Sequence, residues 1–142
     1  MILSIPWILL AIILYNLIAF TSSWPPVGSE GPTVFQTHLF SIQMISDATW
    51  SLTIGDLVTI ITLVLLFVEL IKATRTGGSS IVDHALSTIL FVLCLVEFLV
   101  VRQAATSVFF FILVVTLIDV IAGFSITIRA ARRDFGFGGA VD

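Results

Sequence analysis

Four stretches of this chain are apolar over close to the length that a bilayer demands, and no other feature limits its fold as tightly. A membrane-spanning helix needs about 20 mostly apolar residues. The stretches cover 2–20, broken only by Ser4, Pro6, Tyr15 and Asn16, then 57–73, 81–101 and 107–128. Hydrophobic residues make up 58% of the 142 and charged residues 11%, where a soluble domain carries about 45–50% and about 25%. Lipid is therefore the solvent. The expected fold is an all-α membrane protein, a four-transmembrane-helix antiparallel bundle forming one unit over 1–137, with a flexible tail at 138–142. No internal repeat and no matching pair of broken helices points to a transporter's inverted halves.

Basic residues set the orientation. Lys72 and Arg75 follow the second stretch, Arg129, Arg132 and Arg133 follow the fourth, and Arg102 alone lies between the third and fourth. The positive-inside rule then puts both termini and the loop near residue 76 in the cytoplasm, with 21–56 outside. Arg75, Arg129, Arg132 and Arg133 are expected to contact lipid headgroups. No Lys or Arg precedes Lys72, and Thr21-Ser22-Ser23 is a poor cleavage site, so the first stretch reads as a retained helix rather than a signal peptide.

The formal charge of -3 excludes a nucleic-acid binder resting on general basicity. Cys94 is the single cysteine, which excludes an intrachain disulfide and a Cys-rich zinc site. His38 and His84 fall on opposite sides of the membrane and lack further ligands at metal spacing, so no cofactor or metal is expected. Asp134-Phe135-Gly136 stands without the other kinase motifs and is a chance match. With no catalytic constellation, the chain reads as a non-enzyme.

The outer segment has a different period. Trp24-Pro25-Pro26 and the Gly28–Pro32 stretch break any helix. Phe40, Ile42 and Met44 then alternate with polar residues, as do Trp50, Leu52 and Ile54, on either side of a turn at Ser46–Thr49. This predicts a small extracytoplasmic β-hairpin between helices 1 and 2, in preference to an amphipathic helix over 34–45 built on Phe35, Leu39, Ile42 and Ile45. A lone hairpin is marginal in water, so its apolar face calls for helix ends, headgroups or a partner.

Ionisable residues at membrane depth are functional candidates by default. Asp56 reads as the N-cap of the second helix, and Ser80 with Asp83 as a capping box for the third. Glu69 lies roughly 20 Å below Asp56 and Asp119 roughly 18 Å below Ser107, at about 1.5 Å per residue. Thr88 falls at a similar level, with Lys72 and His84 about a turn deeper. These five residues form a candidate ion or proton site. The structural reading of the same residues is a network in which Glu69 pairs with Lys72 and Asp119 bonds to a hydroxyl. Asn16 and Glu97 form a candidate polar pair nearer the outer surface, with Arg102 able to shield Glu97; a vestibule shared by Glu97 and Asp56 is the alternative. Ala122 and the small residues Gly123 and Thr127, four apart, mark a close helix contact within the chain or between copies. The short Arg102–Thr106 connection makes the third and fourth helices an antiparallel pair.

Lys72-Ala73-Thr74-Arg75-Thr76-Gly77, Asp83-His84 and Ile128-Arg129-Ala130-Ala131-Arg132-Arg133-Asp134-Phe135-Gly136 resemble an uncharacterised family of small four-helix bacterial inner-membrane proteins over about 50–137. That family has no assigned activity, so the resemblance implies a multi-pass place in the bacterial inner (plasma) membrane and no mechanism. Phe67-Val68-Glu69 and the helix spacing are also similar to the phosphate-starvation-inducible E family, from which no site residue carries over. The expected role is assembly, as a homo-oligomer or a small accessory subunit of a membrane complex, with lipids and other membrane subunits as partners. The alternative is a proton or cation channel or transporter using Glu69 and Asp119.

Overall fold

All four apolar stretches become helical in the computed structural model, which describes residues 5–28, 31–74 and 80–136, the side chains of 80, 81, 127 and 129–136 excepted. The order among the described residues is α1 (Ile8–Thr21), a 3-10 turn (Val34–Gln36), β1 (His38–Gln43), β2 (Thr49–Thr53), α2 (Ile54–Ala73), α3 (Ser80–Val100), a second 3-10 turn (Arg102–Ala104) and α4 (Ser107–Gly136). Three helices, α2, α3 and α4, are long and apolar enough to cross a membrane. The chain thus has the shape of a multi-pass membrane protein carrying a small antiparallel hairpin.

The helix ends differ from the expected ones for identifiable reasons. α1 starts at Ile8 rather than residue 2. Pro6 has no N–H to give and disfavours helical backbone at Ile5, and the Trp7 N–H leaves the helix for the Glu69 carboxylate. α2 starts three residues before the expected 57, at Ile54. Thr53, not Asp56, is its N-cap: the Thr53 hydroxyl accepts the Asp56 N–H at 3.1 Å and Asp56 Oδ2 accepts the Thr53 N–H at 2.9 Å. Asp56 is the far half of a capping box. α4 continues past residue 128 to Gly136. Arg129-Ala130-Ala131-Arg132-Arg133 are strong helix formers, so the helix outlasts its apolar run. Arg75 and the 138–142 tail lie outside the described residues, and the proposed headgroup contacts of Arg129, Arg132 and Arg133, the Thr127 side chain and the Ser80 half of the second capping box rest on side chains that are not described.

α4 is the packing centre, with α3 and α2 against it and α1 against α2. One stripe of α2 is buried, comprising Gly55, Val58, Thr62, Leu66 and Glu69, at the spacing of a single helix face. Thr62 and Thr116 are buried on facing helices, and each hydroxyl is bonded to its own helix, at Val58 O and Leu113 O. Two glycines permit close approach. A Cβ on Gly55 would lie 2.8 Å from Val108 Cγ2, and one on Gly123 would lie 2.6 Å from His84 Nδ1. The small residue at 123 therefore serves an α3–α4 contact within the chain.

Tyr15, an interruption in the sequence pattern, ties four segments together. It is fully buried, and its hydroxyl donates to Gln103 O at 2.7 Å. That leaves the Thr106 hydroxyl to donate to Tyr15 Oη at 2.6 Å. The Tyr15 ring stacks on Phe35 at 4.5 Å and lies tilted against Phe109 at 4.8 Å. Arg102 donates to Pro25 O, and Trp24 Nε1 to Ala19 O at 2.5 Å, so the polar connection after α1 is fastened at two points.

The hairpin follows the alternating pattern. Phe40 pairs with Leu52 and Ile42 with Trp50, while Ser41 and Ser51 share a 2.8 Å hydrogen bond on the opposite face. Asp47 takes the left-handed backbone conformation in the turn, at φ 61°, which Asp tolerates better than most residues. β2 runs into α2 without a linker. Helix over 34–45 is confined to the Val34–Gln36 turn, whose Phe35 fills the space beside Tyr15.

Candidate functional site

The candidate site takes its residues from α2, α3 and α4, each contributing the side chain that its buried stripe turns inward. Glu69 (4% exposed), Asp119 (5%), Ser87 (5%) and His84 (8%) form one enclosed polar layer. Lys72 borders it through a 2.9 Å ion pair from Nζ to Glu69 Oε1. The sequence pattern sets Lys72 and His84 about a turn deeper than Glu69 and Asp119; in the structure Lys72 reaches Glu69, and His84 lies within electrostatic reach of Asp119.

Both oxygens of Glu69 are engaged. Oε1 receives Lys72, and Oε2 receives the Trp7 N–H at 2.8 Å. Lys72 Nζ also reaches Ile5 O at 3.3 Å. The start of a helix leaves N–H groups without partners, and in a membrane each such group is costly. Glu69 and Lys72 together hold the backbone that leads into α1. This role could not be read from helix periodicity, because the partner atoms belong to main chain more than sixty residues away.

Asp119 does not bond to Glu69. Its hydrogen-bond partner is Ser87, and Glu69, Lys72 and His84 act on it electrostatically. Thr88, expected as the hydroxyl of this layer, instead donates to His84 O of its own helix at 2.8 Å. Successive residues on a helix point about 100° apart, so one position of rotation exchanges Thr88 for Ser87. His84 lies over Gly123 and beside Phe124, with ring centroids 5.5 Å apart. Chemically, the layer holds two bonded sets, Glu69 with Lys72 fastening α1 to α2 and Asp119 with Ser87 fastening α3 to α4.

Asn16 and Glu97 do not form a pair. Both are half-buried, and no hydrogen bond joins them among the described residues. α1 packs chiefly on α2, while Glu97 acts electrostatically on Tyr15 and Cys94. Arg102 is engaged by Pro25 O rather than by Glu97. A cleft does include Asp56, at the end of the bundle where α2 and α4 begin, but Glu97 is not on its wall. Among the described residues no group of three or more His, Cys, Asp or Glu side chains is placed to hold a metal ion.

Comparison with protein-family models, curated proteins and solved structures found no match to this chain.

Proposed function

We propose that this protein works by assembly in a membrane, as a homo-oligomer or as a small accessory subunit, and not by catalysis. One observation carries the reading: Phe40, Ile42, Met44 and Trp50 on the hairpin are each about half exposed, while inside the bundle Glu69 is paired with Lys72 and Asp119 with Ser87. Exposed apolar surface of this kind marks an interaction site.

In this reading α1 is a fourth crossing. It runs beside α2 from the Glu69 level, where Trp7 is held, to the Tyr15–Phe35 stack near the start of α2. The basic residues place the hairpin outside and both termini in the cytoplasm, and the bacterial inner membrane is the proposed location. Purification of the full chain in mild detergent, followed by native mass spectrometry, should retain further copies or a partner, and Trp50→Asp should release them. A dispersed monomer would refute the proposal.

A second reading, proton or cation transport, draws on the electrostatic coupling of Asp119 with Glu69, Lys72 and His84. It requires pH-dependent flux in liposomes that Asp119→Asn abolishes while assembly persists. No flux in the parent protein removes it.

A further inference from the structure

A cleft of about 750 Å3 opens between the starts of α2 and α4, within the size range of small-molecule sites, about 300–1,000 Å3. Asp56 and His38 line it, Thr59, Thr106 and Ser107 bring hydroxyls, and Phe111 supplies an apolar wall. Asp56 uses only Oδ2 in its capping box, accepting the Thr53 N–H at 2.9 Å and the Thr53 hydroxyl at 2.8 Å. Its Oδ1 takes part in no hydrogen bond among the described residues.

The cleft also lacks a fixed cation. No Lys or Arg lines it, none occurs before Lys72 in the chain, and the guanidinium of Arg102 is held by Pro25 O. His38 is the basic side chain on the wall and acts electrostatically on Asp56. A carboxylate with an uncommitted oxygen, set among hydroxyl acceptors, favours a positively charged ligand. A bare metal ion would need several strong ligands converging on one point. Among the described residues no cluster of that kind exists, and the cleft is far larger than an ion.

We propose that this cleft binds the ammonium group of a small organic amine, with Asp56 Oδ1 as counter-charge, the Thr59 and Ser107 oxygens as acceptors, and Phe111 against the carbon skeleton. An ammonium has three donors and no acceptor, which matches this set. The cleft lies at the ends of two membrane-length helices, so the amine of a lipid headgroup and a water-borne amine can both reach it.

The test uses the full chain in phosphatidylglycerol nanodiscs, with ethanolamine titrated calorimetrically in one arm. In the other arm phosphatidylethanolamine is mixed into the discs and co-released lipid is counted by native mass spectrometry. Two variants are compared after circular dichroism has shown unchanged helix content: Asp56→Asn, and Thr59→Leu, which narrows the cleft without touching the capping box. Saturable ethanolamine binding, weakened at least tenfold in both variants, assigns a water-borne amine. Selective retention of phosphatidylethanolamine, lost in both variants, assigns a headgroup. Absence of both signals, or binding as strong in the two variants as in the parent, overturns the proposal.

Discussion

Asp56 and Glu69 are carboxylates thirteen residues apart on α2, and their surroundings could hardly differ more. Asp56 is exposed in the first turn and holds the Thr53 of its own helix. Glu69 is buried about three and a half turns deeper, where it holds Lys72 and the backbone ahead of a different helix. A charge that closes a local cap leaves water as a substitute if it is lost. A charge enclosed between helices leaves its partners stranded. Their carboxyl chemistry is the same, so the enclosing structure sets how much each one matters.

The largest expected effect breaks the buried member of this comparison. Glu69→Ala leaves the Lys72 ammonium and the Trp7 N–H without their acceptor, and should cost about 3–5 kcal/mol of folding stability, measured by reversible unfolding in bicelles. Replacing Glu69 and Lys72 together with Leu should recover part of this loss, since the stranded charge goes too. A cost for Glu69→Ala below about 1 kcal/mol would mean that Glu69 is not enclosed as described.

Gly123→Ala comes next. Its new methyl group would meet the His84 ring at 2.6 Å, and overpacking of this kind costs about 1–3 kcal/mol. A double-mutant cycle with His84→Ala should show a favourable coupling, because the smaller side chain relieves the clash. Tyr15→Phe keeps the ring stack and removes one hydroxyl. It should cost about 1 kcal/mol, read as a lower unfolding midpoint. Asp56→Asn should have the smallest effect on stability, because the amide oxygen can still accept the Thr53 N–H. A midpoint shift comparable to that of Glu69→Ala would erase the contrast between the two ends.

Several of these roles were legible in the sequence. The Glu69–Lys72 pair follows from i,i+3 spacing on one helix, and the similar depth of Glu69 and Asp119 follows from counting residues. The hairpin was legible because alternation on both sides of a short polar turn leaves few other folds for those residues. The capture of Trp7 by Glu69 was not legible, since any main-chain N–H looks alike in a sequence. Nor was the role of Tyr15, whose partners include Gln103 O and Phe35 from two different connections. The Asn16–Glu97 pair failed because equal depth does not make helices neighbours.

The amino-acid sequence by itself determined where the helices and the hairpin form. Backbone polar groups in lipid must be satisfied within their own segment, and that requirement acts locally on each apolar run. Tertiary structure alone decided which side of each helix faces inward, and so chose Ser87 over Thr88 for Asp119 and set His84 onto Gly123. Rise along a helix is a property of one chain segment, but rotation about its axis is chosen by the neighbours it must pack against.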